Sequence, residues 1–299
     1  MKKVVSIGAV NVDIISYVDE FCDDDEEIVI DELVIRSGGQ AGNIADGLGR
    51  LGKKSFFFGN IGEDVHTSML LRDFDKANVD YSFAKRTNKP NNILYCFVNK
   101  KAARRMYIYP HVDLDIEDFA EELYEDTKFI VFGSLDGENI IELYTAIASE
   151  AKKRGIKIAM DPGNILARHG IEKLRRLLKL CDYITPSLGE VELMVGSLDN
   201  VEELCELVPH IIVTCGGKGA KYYKNGELEE FGVKEISKKF IDSTGAGDCF
   251  TAAFVSALLD GKSEEEAIEY AILAGRIAIT KKGARTMPTH EEIEEFANG

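Results

Sequence analysis

The sequence is short of positive charge, of paired cysteines and of long apolar runs, and each shortage closes off a class of function. Lysine and arginine number 36 against 52 aspartates and glutamates, a formal net charge of −16. A nucleic-acid binder carries a basic footprint, so this balance argues against one. Any anionic ligand must be met by cations gathered locally. The six cysteines (22, 96, 181, 205, 215 and 249) form no CxxC pair and do not cluster with the five histidines. That scatter suits free thiols in a reducing compartment better than a disulfide frame or a zinc site. No apolar run is long enough to span a bilayer. The opening MKKVVSIGAVNVDIISYVDEF is basic then apolar, but acids follow early and no convincing export cleavage site appears. The expectation is a cytoplasmic protein with no membrane partner. Internal repeats, low-complexity linkers and a G-x-x-x-x-G-K-[ST] phosphate loop are also missing. TGAGDCF lacks the third glycine of G-x-G-x-x-G, and no such fingerprint follows the first strand, which removes a Rossmann dehydrogenase.

What is present is a chain of 299 residues, 45% hydrophobic, enough for one large domain or one domain with a small appendage. Gln40 is its only glutamine and 29% of its residues are charged, a composition that leans toward heat-stable proteins. Short apolar runs such as VVSIGAV (4–10), FIVFGS (129–134), IKIAMDP (156–162) and HIIVTCGG (210–217) read as strands. Amphipathic stretches at 138–155 and 165–181 lie between them and read as helices. Such alternation predicts an α/β domain with a mainly parallel sheet, whose ligands sit at the carboxyl ends of the strands. Residues 26–36 and 92–109 break the pattern as strands without intervening helices. Too few to fold alone, they predict a small β-sheet lid over the mouth of the main domain.

Four stretches carry chemistry. STGAGDCFTAAFVSALLDG (243–261) places small residues before an apolar helix. The first amides of a helix lack internal partners and sit at its positive end, so Gly245, Ala246 and Gly247 can admit an anion to them. Asp248, beside that anion, can take a proton from an attacking hydroxyl; equally, it can act as a simple helix-start acid. RSGGQAGNIADGLGRLG (36–52) repeats the glycine-then-helix pattern, with Gly38 and Gly39 permitting close approach and Asn43 able to donate and accept. NVD (11–13) puts Asp13 at the end of the first strand, able to accept vicinal hydroxyls. VTCGGKGAKYY (213–223) offers a glycine-rich turn that can lie along a nucleotide, or merely connect a hairpin. Taken singly, each has a bland reading as a turn or a cap.

Together and in this order, the stretches resemble the ribokinase-like (PfkB) family of sugar and nucleoside kinases. GGQAGNIA stands where members carry a GG-x-x-x-N run, and DSTGAGDCFTAAF is close to the family's D-T-x-GAGD helix. Family-like features run from SIGAVNVD to IAITKKGARTMPT, essentially the whole chain. The resemblance implies a three-layer sandwich with a mainly parallel sheet and a β-sheet lid. It implies one domain over 1–299, with lid segments near 14–36 and 86–110. It further implies Asp248 as catalytic base and Gly245–Gly247 as anion hole. Asp13, Gly38, Gly39 and Asn43 would hold the acceptor, and Ser187, Thr214, Gly216 and Gly219 would line the nucleotide. In TPSLGEVEL the family's N-x-x-E run keeps Glu190, which would organise Mg2+ through water, while Ser187 replaces the asparagine. Ile272 lies where some relatives have a polar adenine contact. ATP or ADP is the implied donor, and a monovalent cation is left open as a further cofactor.

The acceptor is the least determined part. Arg104 stands where the family's second lid strand often carries an arginine, with Arg105 beside it and Arg168 and His169 after a strand end; two of these cations converging would suit a phosphosugar or a sugar acid, and otherwise a neutral sugar or nucleoside is the default. A relative that binds sugar and nucleotide without catalysis is the rival of another class. Keeping Asp248 with its glycines argues against it, because a pure binder needs no base. Alternating apolar residues in IVIDELVI and MYIY would leave one lid face exposed in a monomer, which points to a homodimer through the lids.

Overall fold

A computed structural model describes residues 2–101, 103–233 and 240–298. Its main sheet has nine strands. Seven run parallel, in the order Val79–Asp80, Lys54–Phe58, Lys3–Ile7, Thr127–Phe132, Lys157–Met160, Tyr183–Ile184 and His210–Thr214. The antiparallel hairpin Ala220–Lys224 and Glu227–Phe231 closes one edge. Its turn places Asn225 at φ 51° and Gly226 at φ 89°, the left-handed pair that a two-residue hairpin turn requires.

Successive strand residues point to opposite faces, and both faces are covered. Val5, Ile7, Ile130 and Phe132 join one core with helices Ile140–Lys153, Gly170–Leu178 and Leu188–Val195. Val4, Phe129 and Val131 join the other with helices Gln40–Arg50, Ala246–Leu259 and Glu264–Ala278. Both-face burial explains why these strands read as unbroken apolar runs. The order reverses between Lys3–Ile7 and Thr127–Phe132, the kind of switch point at which open parallel sheets bind ligands.

The lid is a separate four-stranded sheet in the order Glu32–Gly38, Asn11–Val18, Asn92–Asn99, Arg104–Tyr109. Two expectations change here. The strand expected over 26–36 starts only at Glu32, because register pairs Glu32 with Tyr17, next to the last residue of its partner strand. NVD does not close the first strand, which stops at Ile7; it opens the lid strand Asn11–Val18. A third change lies in the helix expected over 165–181. It is broken into Gly163–Ala167 and Gly170–Leu178, with Gly170 at φ 74° after the break.

Candidate active site

The helix Ala246–Leu259 begins with no capping side chain, and Asp248 stands in its first turn. Asp248 keeps some surface open to the cleft, yet the surrounding protein removes most of its solvation. That desolvation raises its carboxyl to about 6, assisted by the nearby charge of Glu190 and opposed by Asn43, Arg285 and Gln40. Asn43 comes from the buried face of helix Gln40–Arg50 and donates its Nδ2 to Asp248 Oδ2 at 2.7 Å. The two glycines flanking Ala246 differ in what they do. Gly245 takes φ 75°, and a Cβ there would lie 2.2 Å from the Ala284 carbonyl, so its lack of a side chain serves the fold. A Cβ on Gly247 would meet nothing within 4 Å, so the ligand-accessible space lies over Gly247.

Across from this helix end, Asp13 is buried on the cleft-facing side of the lid, with its Oδ1 lacking a hydrogen-bond partner. Burial raises its carboxyl to about 7; Arg285 opposes the rise and the Asp248 charge adds to it. Gly38 makes room for it, since a Cβ there would fall 2.0 Å from Asp13 Oδ2. The cleft between lid and helix start has a volume of about 250 Å³ and includes Asp13, Leu94, Cys96, Arg104, Ser243 and Thr244. Beyond the helix start lies a second cavity of about 350 Å³, lined by Thr214, Gly216, Gly219, Gly247, Phe250 and Ile272 among others. The two cavities share Phe240 and Ser243, just before the helix that carries Asp248.

The remaining expected residues separate. Arg104 reaches across the cleft, donating Nη2 to Ser243 Oγ at 2.9 Å and Nη1 to Thr244 Oγ1 at 3.5 Å. Arg105 is its neighbour on the strand and faces the other way, its guanidinium 4.6 Å from the Phe21 ring. Arg168 is exposed at the end of Gly163–Ala167 and lines none of the described cavities. Sequence reading grouped these three arginines; the structure leaves only Arg104 at the cleft. Ser187 and Glu190 form a capping box on helix Leu188–Val195. The Ser187 amide donates to Glu190 Oε2 at 2.7 Å, and the Glu190 amide donates to Ser187 Oγ at 3.3 Å. Thr214 is bridged to Ser187 along the adjoining backbone.

Three further residues belong to this neighbourhood and were not assigned roles from sequence. Arg285 donates Nε to Asn43 Oδ1 at 3.2 Å and Nη2 to the Gly38 carbonyl at 3.3 Å, with its guanidinium 4.9 Å from the Phe74 ring. It lies 242 positions from Asn43, so no local motif could reveal the pair. Gln40, inside the GGQAGN stretch, accepts from the Ser134 amide and hydrogen-bonds Asp248. Asp161 ends the Lys157–Met160 strand and accepts from Thr251 Oγ1 at 3.2 Å. Burial, then the charges of Glu190 and Asp248, push its carboxyl far above the usual carboxylate range.

Among the described residues no group of three or more His, Cys, Asp or Glu side chains could hold a metal ion directly. The local chemistry nonetheless fits Mg2+. The donors are oxygens, and the mutual repulsion of Asp161, Glu190 and Asp248 is what a divalent cation carried in on phosphates would relieve. No described helix is long and apolar enough to cross a membrane.

Comparison with known proteins agrees with this geometry. The chain is 26% identical over 315 residues to a ribokinase of Haemophilus influenzae, covering 99% of each. A ribokinase structure from Thermotoga maritima superposes with a TM-score of 0.87 at 26% identity, covering 100% of both chains. That of an Arabidopsis thaliana ribokinase complexed with ribose and ATP gives 0.83 at 22% identity, covering 99% of this chain and 98% of that one. Residues 1–291 match the pfkB carbohydrate kinase family. With a three-layer fold, a lid and two cavities that share residues just before the Asp248 helix, the chain belongs to the pfkB family of carbohydrate kinases, phosphotransferases that act on hydroxyl groups.

Proposed function

We propose that the protein is a Mg2+-dependent kinase that moves the terminal phosphoryl group of ATP onto a hydroxyl of a neutral sugar or nucleoside, with Asp248 as general base. The observation that carries this reading is the placement of Asp248. It stands in the first turn of a helix whose start is open over Gly247, and the residues just before that helix line both cavities. The cavity with Thr214, Gly216, Gly219 and Ile272 takes the nucleotide, and the lid cleft takes the acceptor. Neighbouring ribokinase folds were solved with ribose and ATP and with ADP, the donor and spent product of an ATP-dependent transfer.

In this reading Asp13 accepts the acceptor's hydroxyls, and Asn43 fixes the Asp248 carboxylate toward the one that reacts. Asp248 takes that hydroxyl's proton as the oxygen attacks the terminal phosphorus. The amides of Gly247 and Asp248, at the positive helix end, stabilise charge on the transferring group. The lid excludes water. Magnesium, when bound, neutralises phosphate charge; Glu190 would hold it through water, since one of its carboxylate oxygens is engaged by the Ser187 amide.

A phosphosugar acceptor is disfavoured. Of the arginines that could read its charge, Arg104 is engaged with Ser243 and Thr244, and Arg105 and Arg168 lie elsewhere. The quaternary part of the proposal is a homodimer through the lids. Leu33 and Tyr107 on the outer lid face are 56% and 61% exposed, an apolar surface that a second copy would cover. The thiols are all free, which supports a reducing cytoplasmic setting. The test is phosphorylated-product formation over a panel of pentoses, hexoses, nucleosides and phosphosugars, each with ATP and with ADP. Turnover is expected with a neutral acceptor and ATP. Failure with every acceptor, despite tight nucleotide binding, would overturn the proposal.

A further inference from the structure

The cavity of about 350 Å³ beyond the helix start contains one group that the transfer reaction leaves unused. Arg276 is the only charged side chain among the described residues that line it. Its Nε is buried, and among the described residues neither that atom nor the rest of the guanidinium has a hydrogen-bond or ion-pair partner. A buried donor without a partner weakens the fold, so the free Nε marks a place where a ligand's acceptor belongs.

Position separates this arginine from the groups suited to phosphate. Helix Glu264–Ala278 presents Ile272, Gly275 and Arg276 to the cavity, and Ile279 follows at its C-cap, a spacing that falls on one face. Arg276 therefore stands between two isoleucines, and Val233, Phe240 and Phe250 complete the apolar lining. The amides free of side chains come from other elements. Gly216, Gly217 and Gly219 follow strand His210–Thr214, and Gly247 lies at the start of helix Ala246–Leu259. Phosphates take glycine amides and a helix start, whereas a flat base takes apolar walls. The guanidinium belongs with the base.

A guanidinium only donates, through a planar fork. The edge of a 6-oxopurine, guanine or hypoxanthine, offers two adjacent acceptors, O6 and N7, which the fork pairs at once. Adenine offers N7 beside an amine donor, so half of the fork is left unpaired. Apolar walls alone separate such bases weakly; the guanidinium is the group that can tell them apart. We propose that Arg276 reads the purine edge of the phosphoryl donor and makes the cavity favour 6-oxopurine nucleotides over adenine nucleotides. ATP still serves as donor, because the groups that meet its phosphates are indifferent to the base. The preference rests on the cavity being the nucleotide site of the proposed kinase.

The test is calorimetric titration of the full chain with the Mg2+ complexes of ADP, GDP and IDP, without acceptor, so that no turnover is needed. GDP and IDP should bind at least about fivefold tighter than ADP, the low end of what one bidentate pair to a base is worth. Arg276→Met should bring GDP and IDP down to the ADP level. Arg276→Gln, whose amide carries both a donor and an acceptor and so matches adenine, should turn the preference toward ADP. Each preference is a ratio within one protein, so a loss of folded material cannot imitate it. GDP and IDP binding no tighter than ADP to the wild type would overturn the proposal. So would an Arg276→Met variant that weakens all three nucleotides equally, which would put the guanidinium on the sugar or the phosphates. A GDP preference that IDP does not share would place the reading on the 2-amino group and overturn it as well. Failure of all three to bind would instead overturn the cavity as nucleotide site, and the preference with it.

Discussion

The two cavities that share Ser243 are built from different materials. The cavity proposed for the nucleotide is lined mostly by glycines and apolar side chains such as Gly216, Gly219, Phe250 and Ile272, with Thr214, Ser243 and Arg276 as its polar groups. The cleft proposed for the acceptor sets two carboxylates and a guanidinium, Asp13, Asp242 and Arg104, among apolar walls such as Leu94, Val98 and Met106, with Arg285 just behind Asp13. The difference teaches where specificity resides. An apolar slot discriminates weakly between similar ligands, whereas buried polar groups that lose their partners penalise the wrong one heavily.

Substitutions at three positions sharpen that contrast. Asp13→Asn should cost the acceptor about 10- to 100-fold in kcat/KM, the worth of a charged hydrogen bond, while the nucleotide KM barely moves. It should also stabilise the free protein in alkali. The Asp13 carboxyl is raised to about 7 in the folded state. Its contribution to stability is therefore full below about pH 4, the ordinary carboxylate range, and is lost as pH rises through about 7. At pH 8 the charged, buried carboxylate is a cost that asparagine removes. Each tenfold change in proton affinity is worth roughly 1.4 kcal/mol, so that cost reaches up to about 4 kcal/mol. Thermal unfolding of both proteins at pH 5 and pH 8 measures this; a variant less stable at pH 8 would contradict it.

Arg285→Met should reduce kcat about tenfold by releasing the Asn43 amide, on the scale of one lost charge-assisted hydrogen bond. It should also shift the acid limb of the pH–rate profile upward, because the guanidinium opposes the rise of the Asp248 carboxyl. Arg285→Lys should return part of the shift but not the geometry. A lowered rate with an unmoved limb would make Arg285 structural only. The smallest effect belongs to the nucleotide side. Ile272→Val removes one methylene, about 0.8 kcal/mol, so the nucleotide KM should rise about fourfold with the acceptor KM unchanged.

The same contrast explains what could be read in the sequence. The anion-hole helix and the GGQAGN helix are contiguous motifs, so Asp248 and Asn43 could be named before any fold was known, and the alternation of apolar runs with helices pointed to the parallel sheet. The acceptor side is assembled from distant pieces. Asn43 and Arg285 meet across 242 positions, and Arg104 reaches Ser243 across 139. The family resemblance sets Arg104 apart from Arg105, but strand alternation sends neighbours to opposite faces and only the lid's register decides which one enters the cleft. The glycines carried a mixed message for a similar reason. Gly245 and Gly247 look alike in sequence, but the Ala284 carbonyl that demands the first comes from the far end of the chain.

The central claim is that Asp248 is the general base of the transfer. Its most direct test is kcat/KM for the best neutral acceptor, measured from pH 5 to pH 9 for the wild type and for Asp248→Asn. The wild type should gain activity as pH rises through about 6, where the Asp248 carboxyl titrates. Asp248→Asn should fold and bind nucleotide normally, fall at least about 100-fold in kcat and lose that limb, as expected for a missing general base. A folded Asp248→Asn enzyme with near wild-type turnover, or one that keeps the same limb, would contradict the account.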